Sequence, residues 1–118
     1  MDLHEYQEFV EQLASPRSVS DEESRFLTAV AGLAGEVGEF ADHVKKAIFH
    51  GGGLQRDHLK DELGDILWYC AFAANALEVS LDSVIAANVA KLQHRYRSGV
   101  FKIEEFLAKE AAKCPATP

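Results

Sequence analysis

The sequence predicts an all-α protein, a helical bundle of four main helices followed by a short C-terminal helix or arm. Three observations carry this. Apolar residues recur at three- and four-residue spacing through most of the chain, strand-like alternation is absent, and caps and breakers divide the periodic stretches. At 118 residues the chain reads as one domain, 1–118, long enough for one core and too short for two.

The first element runs from about Leu3 to Leu13, with Leu3, Tyr6, Phe9, Val10 and Leu13 on one side. Ser15-Pro16-Arg17-Ser18 breaks it. Ser20 and Glu23 then have the spacing of a capping box, which places Ser20 at the N-cap of a second helix reaching about Phe49. Phe26, Val30, Leu33, Val37, Phe40, Val44 and Ile48 form its predicted buried stripe. Gly51-Gly52-Gly53 ends it; without the Lys-Ser/Thr of a P-loop, those glycines read as a turn. The third helix covers about Gln55 to Leu77, with a core stripe of Leu59, Leu63, Ile66, Cys70, Ala73 and Leu77. A fourth follows from about Leu81 to Arg97, closed by Ser98-Gly99. Phe101 to Lys113 is the last short helix or arm, and Cys114 to Pro118 a frayed tail.

Composition removes several function classes. A net charge of −7 leaves no basic face for nucleic acid, although divalent cations can still bridge an acidic protein to a polyphosphate. No stretch approaches membrane-spanning length, and Met1-Asp2-Leu3-His4-Glu5 is not the start of a secretion signal. Two cysteines, Cys70 and Cys114, are too few for a disulfide framework and fit a reducing cytoplasm.

The chemistry lies in two short acidic motifs, Gly35-Glu36-Val37-Gly38-Glu39 and Asp61-Glu62-Leu63-Gly64-Asp65. Carboxylates three apart share a helix face and repel unless something positive sits between them. At about 100° per residue, Glu36, Glu39 and His43 form a ridge beside one apolar stripe. His58, Glu62, Asp65 and Tyr69 form the matching ridge on the next helix. Antiparallel packing places those ridges either face to face or outward on opposite sides. Face to face, they make a pocket of three Glu and one Asp. Gly35, Gly38 and Gly64 beside the carboxylates suggest close backbone approach or room for a ligand. Oxygen-only donors select Mg²⁺, or Mn²⁺, over zinc, and the chain has no Glu-x-x-His of a ferritin-like di-iron site.

The ordered set Glu36-x-x-Glu39 and Glu62-x-x-Asp65, on helices joined by a Gly-containing loop, resembles the MazG-like nucleotide pyrophosphohydrolases. Flanking residues extend the likeness. They are Gly32-Leu33-Ala34-Gly35 and Lys45-Lys46, then Ile66-Leu67-Trp68-Tyr69, then Asn88-Val89-Ala90-Lys91-Leu92 with Arg95-Tyr96. The resemblance spans about Tyr6 to Val100. Gly35 stands where MazG proteins proper usually have the first of paired glutamates. That form looks like the compact single-domain branch, with dCTP pyrophosphatases and phage or mobile-element homologues.

The resemblance implies Mg²⁺ held by Glu36, Glu39, Glu62 and Asp65, and hydrolysis of a nucleoside triphosphate to the monophosphate and pyrophosphate. It makes Asn88, Lys91 and Arg95 candidates for phosphate or sugar contacts, and Trp68 and Tyr69 for base contacts. By position alone Trp68 reads as packing, whereas Tyr69 shares the carboxylate ridge. Glu39 is the first choice for a general base and Glu36 the second. Leu67 to Leu77 is apolar almost all round, which predicts a homodimer completing the pocket, with a dimer of dimers as the alternative. The competing functions are a relative acting on phosphoribosyl-ATP, dUTP or dCTP, and a non-catalytic helical dimer module.

Overall fold

A computed structural model of the chain describes residues 1–17 and 20–113. Ser18, in the predicted break after the first helix, and Cys114 to Pro118, the predicted tail, lie outside the described residues. Every regular element among the described residues is a helix, so the chain is all-α. The elements are α1 (Leu3–Leu13), α2 (Glu22–His50), α3 (Arg56–Ala76), α4 (Leu81–Arg95) and α5 (Ile103–Lys113). They divide into two compact units, Met1–Asp82 and Ser83–Pro118.

Local chemistry explains the boundaries. At α1 the capping box is Asp2 with Glu5: the Asp2 side chain accepts from Glu5 N–H at 2.9 Å, and Glu5 accepts from Asp2 N–H at 2.8 Å. The predicted cap of α2 moves by one residue. Asp21, not Ser20, is the N-cap, its Oδ1 accepting from Ser24 N–H at 2.8 Å. Ser20 Oγ instead donates to the Arg17 carbonyl at 3.2 Å. A carboxylate also gains from the positive end of the helix, which a hydroxyl does not. That bond, with a second from the Ser24 hydroxyl, holds the Asp21 carboxyl below its usual range.

Gly51, at φ 75°, ends α2 in the left-handed region, which only glycine enters at no steric cost. The end of α3 uses the same device with a less suitable residue. Glu78 sits at φ 57° and bonds back to the Asn75 carbonyl, while Val79 N–H reaches Ala74 O, both at 3.0 Å.

Within the first unit, α2 and α3 run antiparallel, and α1 packs on α3 near its C-terminal end. The centre of this packing is Val10, Ala29, Ala71 and Phe72, all fully or almost fully buried. Arg25 caps it by lying 5.4 Å above the Phe72 ring while its guanidinium takes both oxygens of Glu11, at 2.8 and 2.9 Å. Buried Gln7 ties α1 to the α3–α4 turn. Its amide donates to Asn75 Oδ1 (2.9 Å) and the Val79 carbonyl (3.0 Å) and accepts from Leu81 N–H (2.7 Å).

The predicted core stripes are corrected here. Val30 and Ile48 of the α2 stripe are 66% and 67% exposed, and Val37, Leu63 and Leu77 are also open to solvent. Phe26, Leu33, Phe40, Leu59 and Ile66 are only partly covered. The buried positions on these two helices are instead Ala29, Ala71 and Phe72, which cluster with Val10 of α1, and Ala74. Periodicity finds an apolar stripe; it does not say what covers it.

In the second unit, Tyr96, Phe101 and Phe106 form a ring cluster with centroids 5.3 and 5.8 Å apart. Lys109 lies over the Tyr96 ring and donates to the Arg95 carbonyl, which ties α5 back to the end of α4. No single helix among the described residues is long and apolar enough to cross a membrane.

Candidate metal centre

The antiparallel pair settles the choice between inward and outward ridges. Gly32 of α2 lies against Tyr69 of α3, Glu36 against Asp65, and His43 against His58. Each step forward along α2 is matched by an equal step back along α3, so the two polar ridges meet at one seam.

Gly32 makes the approach possible. A Cβ there would fall 2.0 Å from Tyr69 Cε1, so the tyrosine ring occupies the space that any side chain would need. Around Gly35, Gly38 and Gly64, by contrast, a Cβ would meet nothing within 4 Å. Close backbone approach within the chain therefore does not account for those three glycines. Open space does: Gly35 and Gly38 line a shallow groove of about 480 Å³ with Ala34, Glu39, Asp42 and His43.

Carboxylate oxygens of Glu36, Glu62 and Asp65 all lie within 4.8 Å of one another. Glu36 and Glu62 are partly covered and Asp65 is exposed. Glu39 falls outside this trio, yet its charge acts on Glu36. Desolvation, then the charges of Glu39, Asp65 and Glu62, push the Glu36 carboxyl above its ordinary value. Like charges held this close repel unless something positive sits between them, so the cluster could hold a metal ion. Carboxylate oxygens are the donor type that hard divalent ions take.

Further residues stand close to the trio. His43 Nε2 stands 3.4 Å from Glu62 Oε1. Its ring stacks on His58, with centroids 5.5 Å apart and planes 16° from parallel. From α1, Tyr6 also senses the site: burial, then the charges of Asp65 and Cys70, raise its hydroxyl pKa. Sequence periodicity places Tyr6 only on the apolar side of α1. Nothing local marks it as a neighbour of Asp65, because the two are joined by tertiary packing alone.

The aromatic candidates divide. Tyr69 packs on the Gly32 backbone, one turn beyond Asp65. Trp68 is stacked on Phe72 at 5.5 Å and meets Tyr69 edge-on at 4.9 Å, against the central core. Its Nε1 is buried with no hydrogen-bond partner among the described residues. Asn88 and Lys91 are exposed on α4, and Arg95 is partly covered at its end; all three belong to the second unit.

Comparison with known proteins agrees with these motifs. The family model for the MazG nucleotide pyrophosphohydrolase domain matches residues 24–101, which include both acidic motifs and the α4 candidates. The Gene 37 protein of Mycobacterium phage L5 is 45% identical over 75 residues, covering 60% of this chain and 66% of the phage protein. The alignment thus spans just under two thirds of that relative's length. No solved structure matches the chain.

Proposed function

Because this chain belongs to the MazG nucleotide pyrophosphohydrolase domain family, we propose that it hydrolyses a nucleoside triphosphate to the monophosphate and pyrophosphate. Mg²⁺ is the proposed cofactor, with Mn²⁺ as a substitute, and cleansing or balancing of the cytoplasmic nucleotide pool the proposed role. The supporting observation is the trio Glu36, Glu62 and Asp65, with oxygens within 4.8 Å of one another at a helix seam. Glu39 completes the proposed ligand set. When bound, the divalent ion offsets the repulsion between these carboxylates and a triphosphate, and it acidifies coordinated water.

Glu39 is the proposed general base, with Glu36 as its alternate. It takes the proton of a water whose oxygen bonds to a phosphorus of the α–β anhydride. The bond from that phosphorus to the bridging oxygen breaks, and pyrophosphate departs with the electron pair. Asn88, Lys91 and Arg95 are the proposed phosphate and sugar contacts, where positive charge and donors favour the leaving group. Tyr69 is the proposed base contact, with Trp68 edge-on behind it.

A homodimer is the proposed assembly. Its support is the exposed apolar surface of the first unit, where Leu27, Val30, Val37, Ile48, Phe49, Leu63 and Leu67 are all uncovered. A monomeric mass in light scattering at micromolar concentration overturns this.

The activity is tested by incubating purified protein with Mg²⁺ and a panel of canonical and modified (d)NTPs, dUTP, dCTP and phosphoribosyl-ATP. Pyrophosphate release from one of the (d)NTPs is the expected result. Turnover of phosphoribosyl-ATP alone moves the protein to the related reaction, and no turnover of any compound leaves a binding module.

A further inference from the structure

Three like charges meet at the seam, and one of their carriers is held from behind. Glu62 has only 13% of its side chain exposed, so water does little to screen or orient its carboxylate. The one basic side chain shown within 4 Å of any of the four ligand candidates, among the described residues, is His43, whose Nε2 stands 3.4 Å from Glu62 Oε1. His43 is itself held. It is one turn past Glu39 on α2, and its ring lies nearly parallel to that of His58, one turn before Glu62 on α3. The histidine stack therefore joins the two helices immediately beyond the acidic trio, and the imidazole reaches back to a partly covered member of it.

We propose that His43 is a positioning residue for Glu62, holding one carboxylate oxygen through Nε2 so that the group is presented to Glu36 and Asp65 in a fixed orientation. This rests on the proposed metal site. A carboxylate ligand held by a second donor loses less freedom when a cation arrives, and removing such a partner weakens metal affinity by about 10–100-fold. His58 contributes by fixing the ring plane of His43, so its loss acts through His43 and is smaller. The contact runs through Nε2, the outer nitrogen. A glutamine amide reaches as far as Nε2, whereas an asparagine amide reaches only to the position of Nδ1.

That difference gives a test that a purely structural role would not satisfy. Mn²⁺ binding is followed by electron paramagnetic resonance on the metal-free protein and on His43→Ala, His43→Asn, His43→Gln and Glu62→Gln. All proteins are compared at one pH and ionic strength, and the Gln and Asn variants are both uncharged, so the difference between them reads donor geometry and not net charge. His43→Ala and His43→Asn are expected to weaken Mn²⁺ by about 10–100-fold, and His43→Gln to stay within about threefold of the parent. Parent-like affinity in His43→Ala, or equal weakening in His43→Gln and His43→Asn, overturns the role of His43. Should His43→Ala fail to fold, judged by its helical circular dichroism, the Gln/Asn pair still decides. Glu62→Gln separates this from failure of the site: Mn²⁺ lost there but unchanged in His43→Ala rejects His43 alone. Parent-like binding in Glu62→Gln rejects the metal site and this inference with it.

Discussion

The same two helices do opposite things at the two ends of their seam. Towards the start of α2, Ala29 and Phe72 are buried together under α1, and Arg25 is paired with Glu11 above them. A few turns on, Glu36, Glu62 and Asp65 bring like charges within 4.8 Å, with open space beside Gly35, Gly38 and Gly64. Gly32 and Tyr69 stand between the two stretches. The first end gains stability from packing, and the second holds repulsive charge at its expense. Such a division is expected where a rigid element must position a site that is unfavourable until its ligand binds.

If the two ends differ in this way, substitutions at the acidic end should remove activity and spare the fold. Glu39→Gln is expected to lower kcat by about 10²–10⁴-fold, the usual loss for a general base. Its thermal midpoint should stay within a few degrees of the parent. Glu62→Gln should do the same through the ligand set. Retained turnover in either, measured as pyrophosphate release, breaks the assignment.

At the packed end the order reverses. Phe72→Ala deletes a fully buried ring between α1 and α2 and is expected to cost about 3–5 kcal/mol in denaturant unfolding. Leu67→Ala, one turn away but 53% exposed, should cost well under that in the dissociated chain. Equal losses at the two positions would mean that the buried set has been misplaced.

Gly32→Ala probes the junction. The added methyl would sit 2.0 Å from the Tyr69 ring, so either the ring turns out or the helices separate, at about 1–3 kcal/mol. Separation would also spread the carboxylates one turn further along. Loss of stability with a matching fall in Mn²⁺ affinity sharpens the contrast; parent-like behaviour in both removes Gly32 as the junction.

Much of this was legible in the residues themselves. The 3–4 spacing set all five helices, with α1 at Leu3–Leu13 as expected and the other ends within about two residues. The i, i+3 carboxylates and the Gly-rich turn between antiparallel helices led to one seam with two possible orientations. What periodicity lacked was the identity of the covering surface. Val30 and Ile48 look like core in a helical wheel, yet within this chain they face solvent. The close contact of Gly32 with Tyr69 and the approach of Tyr6 to Asp65 depend on how helices far apart in sequence cross, which no local pattern encodes. The cap at Asp21 was missed for a smaller reason, since Ser20 and Asp21 compete for the same helix end and charge decides between them.

The smallest expected effect is the most direct test of stored repulsion. The Glu36 carboxyl is pushed above its ordinary value of about 4.5, first by desolvation and then by Glu39, Asp65 and Glu62. A carboxyl whose pKa is raised on folding opposes folding when ionised. Its penalty is absent below the unfolded pKa, grows as pH rises towards the folded one, and is full above it. Metal-free Glu36→Gln should therefore be slightly more stable than the parent at neutral pH, by a few tenths of a kcal/mol, because the site is partly solvated. The gain should vanish as pH falls below about 4.5, where the parent's Glu36 is protonated as well. Saturating Mg²⁺ should reverse the order by stabilising the parent alone. Thermal melts of both proteins with and without Mg²⁺ read this out. A Glu36→Gln protein less stable than the parent without metal would mean that Glu36 already has a favourable partner, and that the acidic end is not held at a cost.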